Sequence, residues 1–314
     1  MPEADAASRG ASRTGRGVLA VPLLALLWGL NWPAVKTVLT EVAPWTLRAT
    51  GMGAGALLLM LIVLTRGRSL RVARDQWPRL VAAALLSVAG FNLFVVFAQL
   101  AGTTSRAAIV TFTMPIWAIA LARVFLGERL DRRRGAALAL GVAGLALLAA
   151  PVLRAGTLPL GIVLSLAAGL SWAAGTVFTK RFPIRADPMS ATAWQLAVGS
   201  LAAAIGMLVF EGVPVPKALS LHVALALGYH VLLATALAYV VWFDVVARMP
   251  AGVAALGTLM VPVVGVTSAM ALLGERPGAS DLGGFALIIA AAATPLLPLP
   301  QWPRWARLLR KPSP

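Results

Sequence analysis

The chain has 314 residues, of which 60% are hydrophobic, 12% charged and none cysteine, with a net charge of +16 and a mean hydropathy of +0.86. Soluble domains carry about 25% charged residues, so an ordinary globular protein is excluded, and the lack of cysteine excludes disulfides, thiol catalysis and Cys-ligated metal. The basic excess is not a nucleic-acid footprint, which gathers Lys and Arg on one folded face; here groups such as Arg66, Arg68 and Arg71, or Arg132-Arg133-Arg134, punctuate apolar runs.

Taken in chain order, a basic tail (1–17) precedes the first apolar run, 18–38. That run continues through Trp28-Gly29-Leu30-Asn31-Trp32-Pro33 with no small-residue cleavage site, so an uncleaved helix is expected rather than a secretory signal. Further runs follow at 45–65, 80–100, 107–126 and 135–153, then at 159–179, 190–210, 223–246, 251–272 and 282–299. A helix needs about 20 apolar residues to cross a bilayer and a barrel strand about 10, so the expected fold is all-α integral membrane with ten transmembrane helices. A second basic tail, 300–314, mixes Trp302 and Trp305 with Arg304 and Arg307, as expected at an inner membrane surface.

Lys and Arg alternate between the two sets of connecting segments. Twenty fall in one set, including both tails and the clusters at 66–79 and 129–134, against six in the other: Lys36, Arg48, Arg106, Arg154, Lys217 and Arg276. The richer set is expected on the cytoplasmic side, which puts both termini there. The Ala-, Gly-, Leu- and Arg-rich composition suggests a bacterial plasma membrane.

The two halves repeat. Met114-Pro115 is followed by Leu126-Gly127-Glu128-Arg129, and Val261-Pro262 by Leu273-Gly274-Glu275-Arg276, with the same thirteen-residue step from Pro to Glu. Ala107-Ala108 and Thr111 match Ala254-Ala255 and Thr258, and Trp28 with Lys36 matches Trp172 with Lys180. Five spans per half is an odd number, so the second half enters the bilayer in the opposite sense. The predicted units are residues 18–153 and 159–299, an inverted repeat of the kind that places a binding site between two halves. Pro115 and Pro262 each remove a helical hydrogen bond near mid-span, and are candidate kinks or hinges. Glu128 and Glu275 are expected on opposite sides of the membrane, each ending a helix and organising the loop that follows; a gating role is the alternative.

Trp28-Gly29, Pro44 with Arg48, Pro115 with Leu126-Gly127-Glu128-Arg129, and their echoes Trp172 and Pro262 with Leu273-Gly274-Glu275-Arg276 resemble the drug/metabolite transporter superfamily, in its branch with two EamA-type repeats. The resemblance covers about residues 18–298. It implies a ten-helix bundle with alternating access, usually exporting amino acids, metabolites or drugs, and says little about the substrate.

Polar and aromatic residues within spans are the candidate substrate-binding groups, because burying them in lipid is costly. Trp28 and Asn31 share a helix face, as do Asn92 and Gln99, Trp172 and Thr176, and the stripe Thr235, Tyr239 and Trp242; Thr111 and Thr258 are repeat partners. Trp28, Asn31 and Tyr239 rank first, since they lie away from the interfacial belts where Trp and Tyr collect. Residues of these types also mediate helix packing. Asp244 is a candidate for proton coupling, although Arg248 at i+4 offers a local ion pair. His230, near mid-span, is either a second coupling group or a hydrogen-bonded structural histidine.

No ATP-binding Gly-rich loop is present, so secondary transport is expected. Few acids lie in the spans, which favours facilitated export or exchange over strongly proton-driven antiport. An intramembrane enzyme is disfavoured: the chain has two His, no clustered acids and no Gly-x-Ser-x-Gly elbow. No cofactor or metal is expected. The expected partners are a small-molecule substrate and the lipid bilayer, with a lipid flippase as the alternative function. The sequence leaves the oligomeric state open and is compatible with a monomer.

Overall fold

The computed structural model describes residues 20–128, 131–154, 159–215, 218–248 and 260–294, and all the regular structure among them is helical. In chain order the helices are α1 (Ala20–Val38), α2 (Pro44–Thr65), α3 (Arg74–Leu100), α4 (Thr104–Phe125), α5 (Arg132–Arg154), α6 (Leu160–Arg181), α7 (Pro188–Phe210), α8 (Leu221–Val245), α9 (Met260–Leu273) and α10 (Ala279–Ala293). Seven of them, α1 to α4 and α6 to α8, are long and apolar enough to cross a membrane. The apolar stretches of α5, α9 and α10 are shorter among the described residues. The first half of the predicted span 251–272, the end of 282–299 and both basic tails lie outside them. Helix α3 starts earlier than the predicted residue 80, with a 3-10 turn at Arg74–Gln76. Charge ends an apolar run, but it does not end a helix.

The outer face of the bundle is apolar. On α2, Leu57, Leu61 and Leu64 are more than half exposed at helical spacing, and on α7 so are Leu201, Ile205 and Leu208. A soluble helix would carry charge on that face; here the exposed side has the composition of a lipid contact.

The two halves share backbone features that hydropathy alone does not reveal. Pro44 and Pro188 occupy the first turns of α2 and α7, where a missing N–H costs nothing. The positive-φ residues described are all glycines: Gly67 after α2, Gly212 after α7, Gly127 after α4 and Gly274 after α9. Each ends its helix in the left-handed conformation that only glycine adopts freely. The N–H groups of Glu128 and Glu275 then fold back to the carbonyls of Ala122 and Ala269. Helices α3 and α8 each contain a π-helical stretch at corresponding places, Ala84–Gly90 and Tyr229–Leu237.

Repeat-related helices pack antiparallel. Glu211, just past the C-terminus of α7, accepts from the N–H groups of Trp45 and Thr46 at the N-terminus of α2, both at 2.8 Å. At the opposite ends, Arg68 beyond α2 pairs with Asp187, the N-cap of α7, at 3.1 Å. Glycines allow close approach elsewhere. A Cβ on Gly144 of α5 would stand 3.1 Å from the Gly284 carbonyl of α10, and one on Gly284 would stand 3.0 Å from the Gly144 carbonyl. Pro115 follows a break in α4: the helix stops at Thr111, turns through Phe112 and Thr113, and resumes at Met114. In α1, Pro33 cannot donate to the Gly29 carbonyl, and the helix loosens at Leu30.

An ion pair that the sequence does not announce joins α4 to α10. Arg106 Nε and Nη2 donate to the two carboxylate oxygens of Asp281 at 2.6 and 3.2 Å, with Asp281 nearly buried and Arg106 partly exposed. Arg106→Ala is expected to destabilise the protein by about 1–2 kcal/mol, because it leaves a nearly buried carboxylate without its counter-charge and holding only the Gly278 N–H at 3.0 Å. Adding Asp281→Ala should recover part of that loss. Thermal unfolding of the three variants in detergent measures the coupling, and simple additivity would count against the pair.

Candidate functional site

The sequence Gly51-Met52-Gly53-Ala54-Gly55 gives α2 two bare patches. A Cβ on Gly51 would stand 2.9 Å from His230 Nε2, and one on Gly55 would collide with Thr235. Gly53 instead faces Ser200 of α7, whose hydroxyl donates to the Ala49 carbonyl at 2.7 Å. The π-helical stretch of α8 therefore docks into a groove on α2 cut by Gly51 and Gly55. Such stretches add a residue to the turn and often mark functional sites. Within this one, Thr235 Oγ1 donates to the His230 carbonyl at 2.8 Å. On α3 the Leu86 carbonyl in the corresponding stretch accepts from Ser171 of α6 at 2.6 Å. The repeat counterpart reverses the roles: Tyr229 of α8 donates to the Leu27 carbonyl of α1 at 2.9 Å.

Polar side chains converge beside this groove. His230 Nδ1 lies 2.8 Å from Asn31 Oδ1. An amide oxygen only accepts, so this contact is a hydrogen bond in the tautomer that carries its proton on Nδ1. One turn before Gly51 on α2, Arg48 is 2% exposed. Its Nη1 donates to Asn92 Oδ1 of α3 at 3.2 Å, and Asn92 in turn donates to the Val88 carbonyl at 2.9 Å. Arg48, counted above with the basic residues of the connecting segments, is in fact inside the bundle. Its Nε has no partner among the described residues.

Aromatic rings continue the cluster along α1 and α8. Trp28, one turn before Asn31, meets Tyr239 edge-on at 6.2 Å and Trp242 at 5.8 Å between ring centroids, and Tyr239 stacks on Phe243 at 6.5 Å. Asn31, Asn92, Trp28, Tyr239 and Trp242 are half-buried, whereas Arg48 and His230 are buried. The structure thus brings together Trp28, Asn31, Asn92, His230, Tyr239 and Trp242 from the sequence candidates and adds Arg48. A guanidinium, two amides and an imidazole beside an aromatic wall can orient an anionic group and hold an apolar one.

The other candidates are placed differently. Gln99 is fully buried and donates to the Trp32 carbonyl at 2.9 Å, tying α3 to α1. Thr176 is exposed and donates to the Trp172 carbonyl of its own helix at 2.9 Å. Trp172 is half-buried on the same helix. Thr111 is fully buried at the break in α4, with its hydroxyl unpartnered among the described residues. Thr258 and the side chain of Arg248 lie outside the described residues, and Asp244 is half-buried near the end of α8. Among the described residues no group of three His, Cys, Asp or Glu is arranged to hold a metal.

The pattern of the EamA-like transporter family matches the chain twice, over residues 15–150 and 159–295. The chain belongs to that family. It is a multi-pass membrane protein and a transporter, not an enzyme. A "Probable amino-acid metabolite efflux pump" of Salmonella typhimurium is 30% identical over 291 residues, spanning 87% of this transporter and 92% of the relative. The "Uncharacterized transporter YvbV" of Bacillus subtilis is 27% identical over 276 residues, 88% of this chain and 90% of the relative. A solved crystal structure, 23% identical, superposes with a TM-score of 0.63 over 95% of this transporter and 99% of that chain, a likeness of fold.

The paired glutamates of this transporter reach helices beyond their own. Glu275 reaches the N-terminus of α4 in the other half and accepts from the N–H groups of Thr104 and Ser105 at 2.6 and 2.8 Å and from the Ser105 hydroxyl at 2.5 Å. A carboxylate suits that place because a helix N-terminus has unpaired donors and partial positive charge. Glu41 likewise accepts from the N–H of Ser220, at the start of α8, at 3.0 Å and from its hydroxyl. Lys36 donates to the carbonyls of Gln99 and Gly102. Glu128 pairs with Lys180 of α6 at 2.5 Å, on the wall of a crevice of about 440 Å³ that Phe125, Leu126 and Arg181 also line. That crevice lies at the ends of α4 and α6, away from Arg48.

Proposed function

We propose that this chain is a secondary exporter of amino acids or related small metabolites. It works by alternating access across ten spans, built as two inverted five-helix repeats, 18–153 and 159–299, with both termini cytoplasmic. The observation that carries this reading is the antiparallel pairing of repeat-related helices, joined end to end by Glu211 on α2 and Arg68 on Asp187. Two halves related in this way have two equivalent but opposite arrangements, and interchange between them exposes one central site to either side. The name of the Salmonella relative supports the substrate class and the outward direction. The absence of a phosphate-binding loop of the ATPase kind supports secondary transport. The candidate cavity is the cluster around Trp28, Asn31, Asn92, His230, Tyr239 and Trp242. Pro115 and Pro262 are the proposed flex points, and His230 and Asp244 the groups to test for proton coupling.

Because the chain has no cysteine, single cysteines report topology without background. Arg133→Cys and Arg276→Cys are expected to label on opposite sides of the membrane with an impermeant maleimide, only the second in intact cells. Labelling of both from one side would defeat the inverted arrangement. For function, metabolomic comparison of medium and cytosol with and without the protein should show amino acids or related metabolites raised in the medium. An unchanged profile across amino acids, sugars and cationic drugs would end the export assignment.

A further inference from the structure

A guanidinium remains charged at any physiological pH, yet Arg48 is 2% exposed inside the bundle. Among the described residues its one polar partner is the neutral Asn92, and its Nε–H meets no acceptor. No described carboxylate pairs with it. A buried charge without a counter-charge is costly, and in a membrane protein it marks a functional path.

The shared architecture does not require this charge. In the register that aligns Pro44 with Pro188, Thr192 stands where Arg48 does; in the register that aligns Trp28 with Trp172, Gly175 stands where Asn31 does. Both halves build the same helix pairs, but among the described residues only one side builds the polar cluster. The cluster is also continuous. Arg48 and Gly51 are one turn apart on α2, Gly51 faces His230, His230 holds Asn31, and Asn31 is one turn from Trp28.

We propose that Arg48 is the anchor for a carboxylate on the transported substrate. Asn92 positions the guanidinium, and the wall of Trp28, Tyr239 and Trp242 receives the apolar remainder of the molecule. This rests on the transporter reading above and deepens it by naming a substrate class: amino acids and related compounds that carry a single carboxylate and an apolar side. A carboxylate fits better than a phosphate dianion because Arg48 is the one Lys or Arg in the cluster. Its planar fork matches two carboxylate oxygens.

The test uses the full chain in proteoliposomes, with counterflow of labelled L-leucine, L-threonine and L-phenylalanine, and with the matching amino-acid amides as competitors. In the wild type each amide should compete at least about tenfold more weakly than its acid. Arg48→Gln should bring acid and amide within about twofold of each other. Arg48→Lys, which keeps the charge and loses the fork, should weaken the acids by about threefold and leave the amides unchanged. It carries the test if the glutamine variant fails to insert. Equal competition by acids and amides in the wild type, or an unchanged ratio in the variants, would overturn the anchor while leaving transport intact. No counterflow of any probe would overturn the amino-acid export reading and the anchor with it.

Discussion

Glu275→Ala is expected to destabilise the protein by about 3 kcal/mol and to open the end of the bundle where α4 begins. The carboxylate accepts from three donors, two of them backbone N–H groups that have no intrahelical partner. Removing it leaves them facing a partly buried junction between the halves, and loses the favourable charge at the helix N-terminus. Glu275→Gln should cost about half as much, since one carbonyl oxygen still accepts while the charge is gone. Thermal unfolding of the purified protein in detergent gives the ranking. A cysteine placed at Ser105 reports the opening. On the topology proposed above, it should label faster from outside in the Glu275→Ala background than alone. Equal stability of the alanine, glutamine and wild-type proteins would mean that the contact carries no weight.

Gly175→Leu is expected to be at least as damaging, at about 3 kcal/mol or more. Position 175 lies where α6 crosses the π-helical stretch of α3. A Cβ there would fall on the Ser87 hydroxyl and stand 2.9 Å from the Ser87 backbone nitrogen. A hydroxyl can rotate away, but a backbone nitrogen inside a packed helix cannot. The helices must separate, and the bond from Ser171 to the Leu86 carbonyl breaks with them. Gly175→Ala should be milder, and Gly67→Ala, which has open space but a positive φ, should lose about 1 kcal/mol through backbone strain alone. Yield of folded protein on size exclusion and its melting temperature in detergent measure all three. A Gly175→Leu protein that melts like the wild type would show that the crossing is looser than its geometry.

The candidate site was partly legible in the sequence. Trp28, Asn31, Tyr239 and Trp242 were recognisable because a polar or aromatic group in an apolar run stands out locally, and α1 and α8 bring them together. Gln99, Thr176 and Thr235 stand out for the same reason. Yet each donates to a backbone carbonyl, and hydropathy cannot tell a group aimed at a ligand from one aimed at a helix. Arg48 was harder still. It sits only four residues into α2, where a basic residue reads as a marker of the span's end. Its burial depends on α3 and α8, which are distant in sequence.

Sequence alone determined the environment and the duplication. Long uncharged runs dictate helices in lipid, since only internal hydrogen bonding satisfies a backbone there, and two Leu-Gly-Glu-Arg segments at one spacing declare two related halves. Tertiary structure decided what those segments do. Glu275 caps α4 of the other half, because the unpaired N–H groups it meets belong to a helix about 170 residues earlier in the chain. It also decided the π-helical stretches of α3 and α8, which are shifts in hydrogen-bond register that leave the apolar pattern unchanged. Above all it left Arg48 buried beside a neutral partner, because a charge becomes costly only when neighbouring helices take away its water.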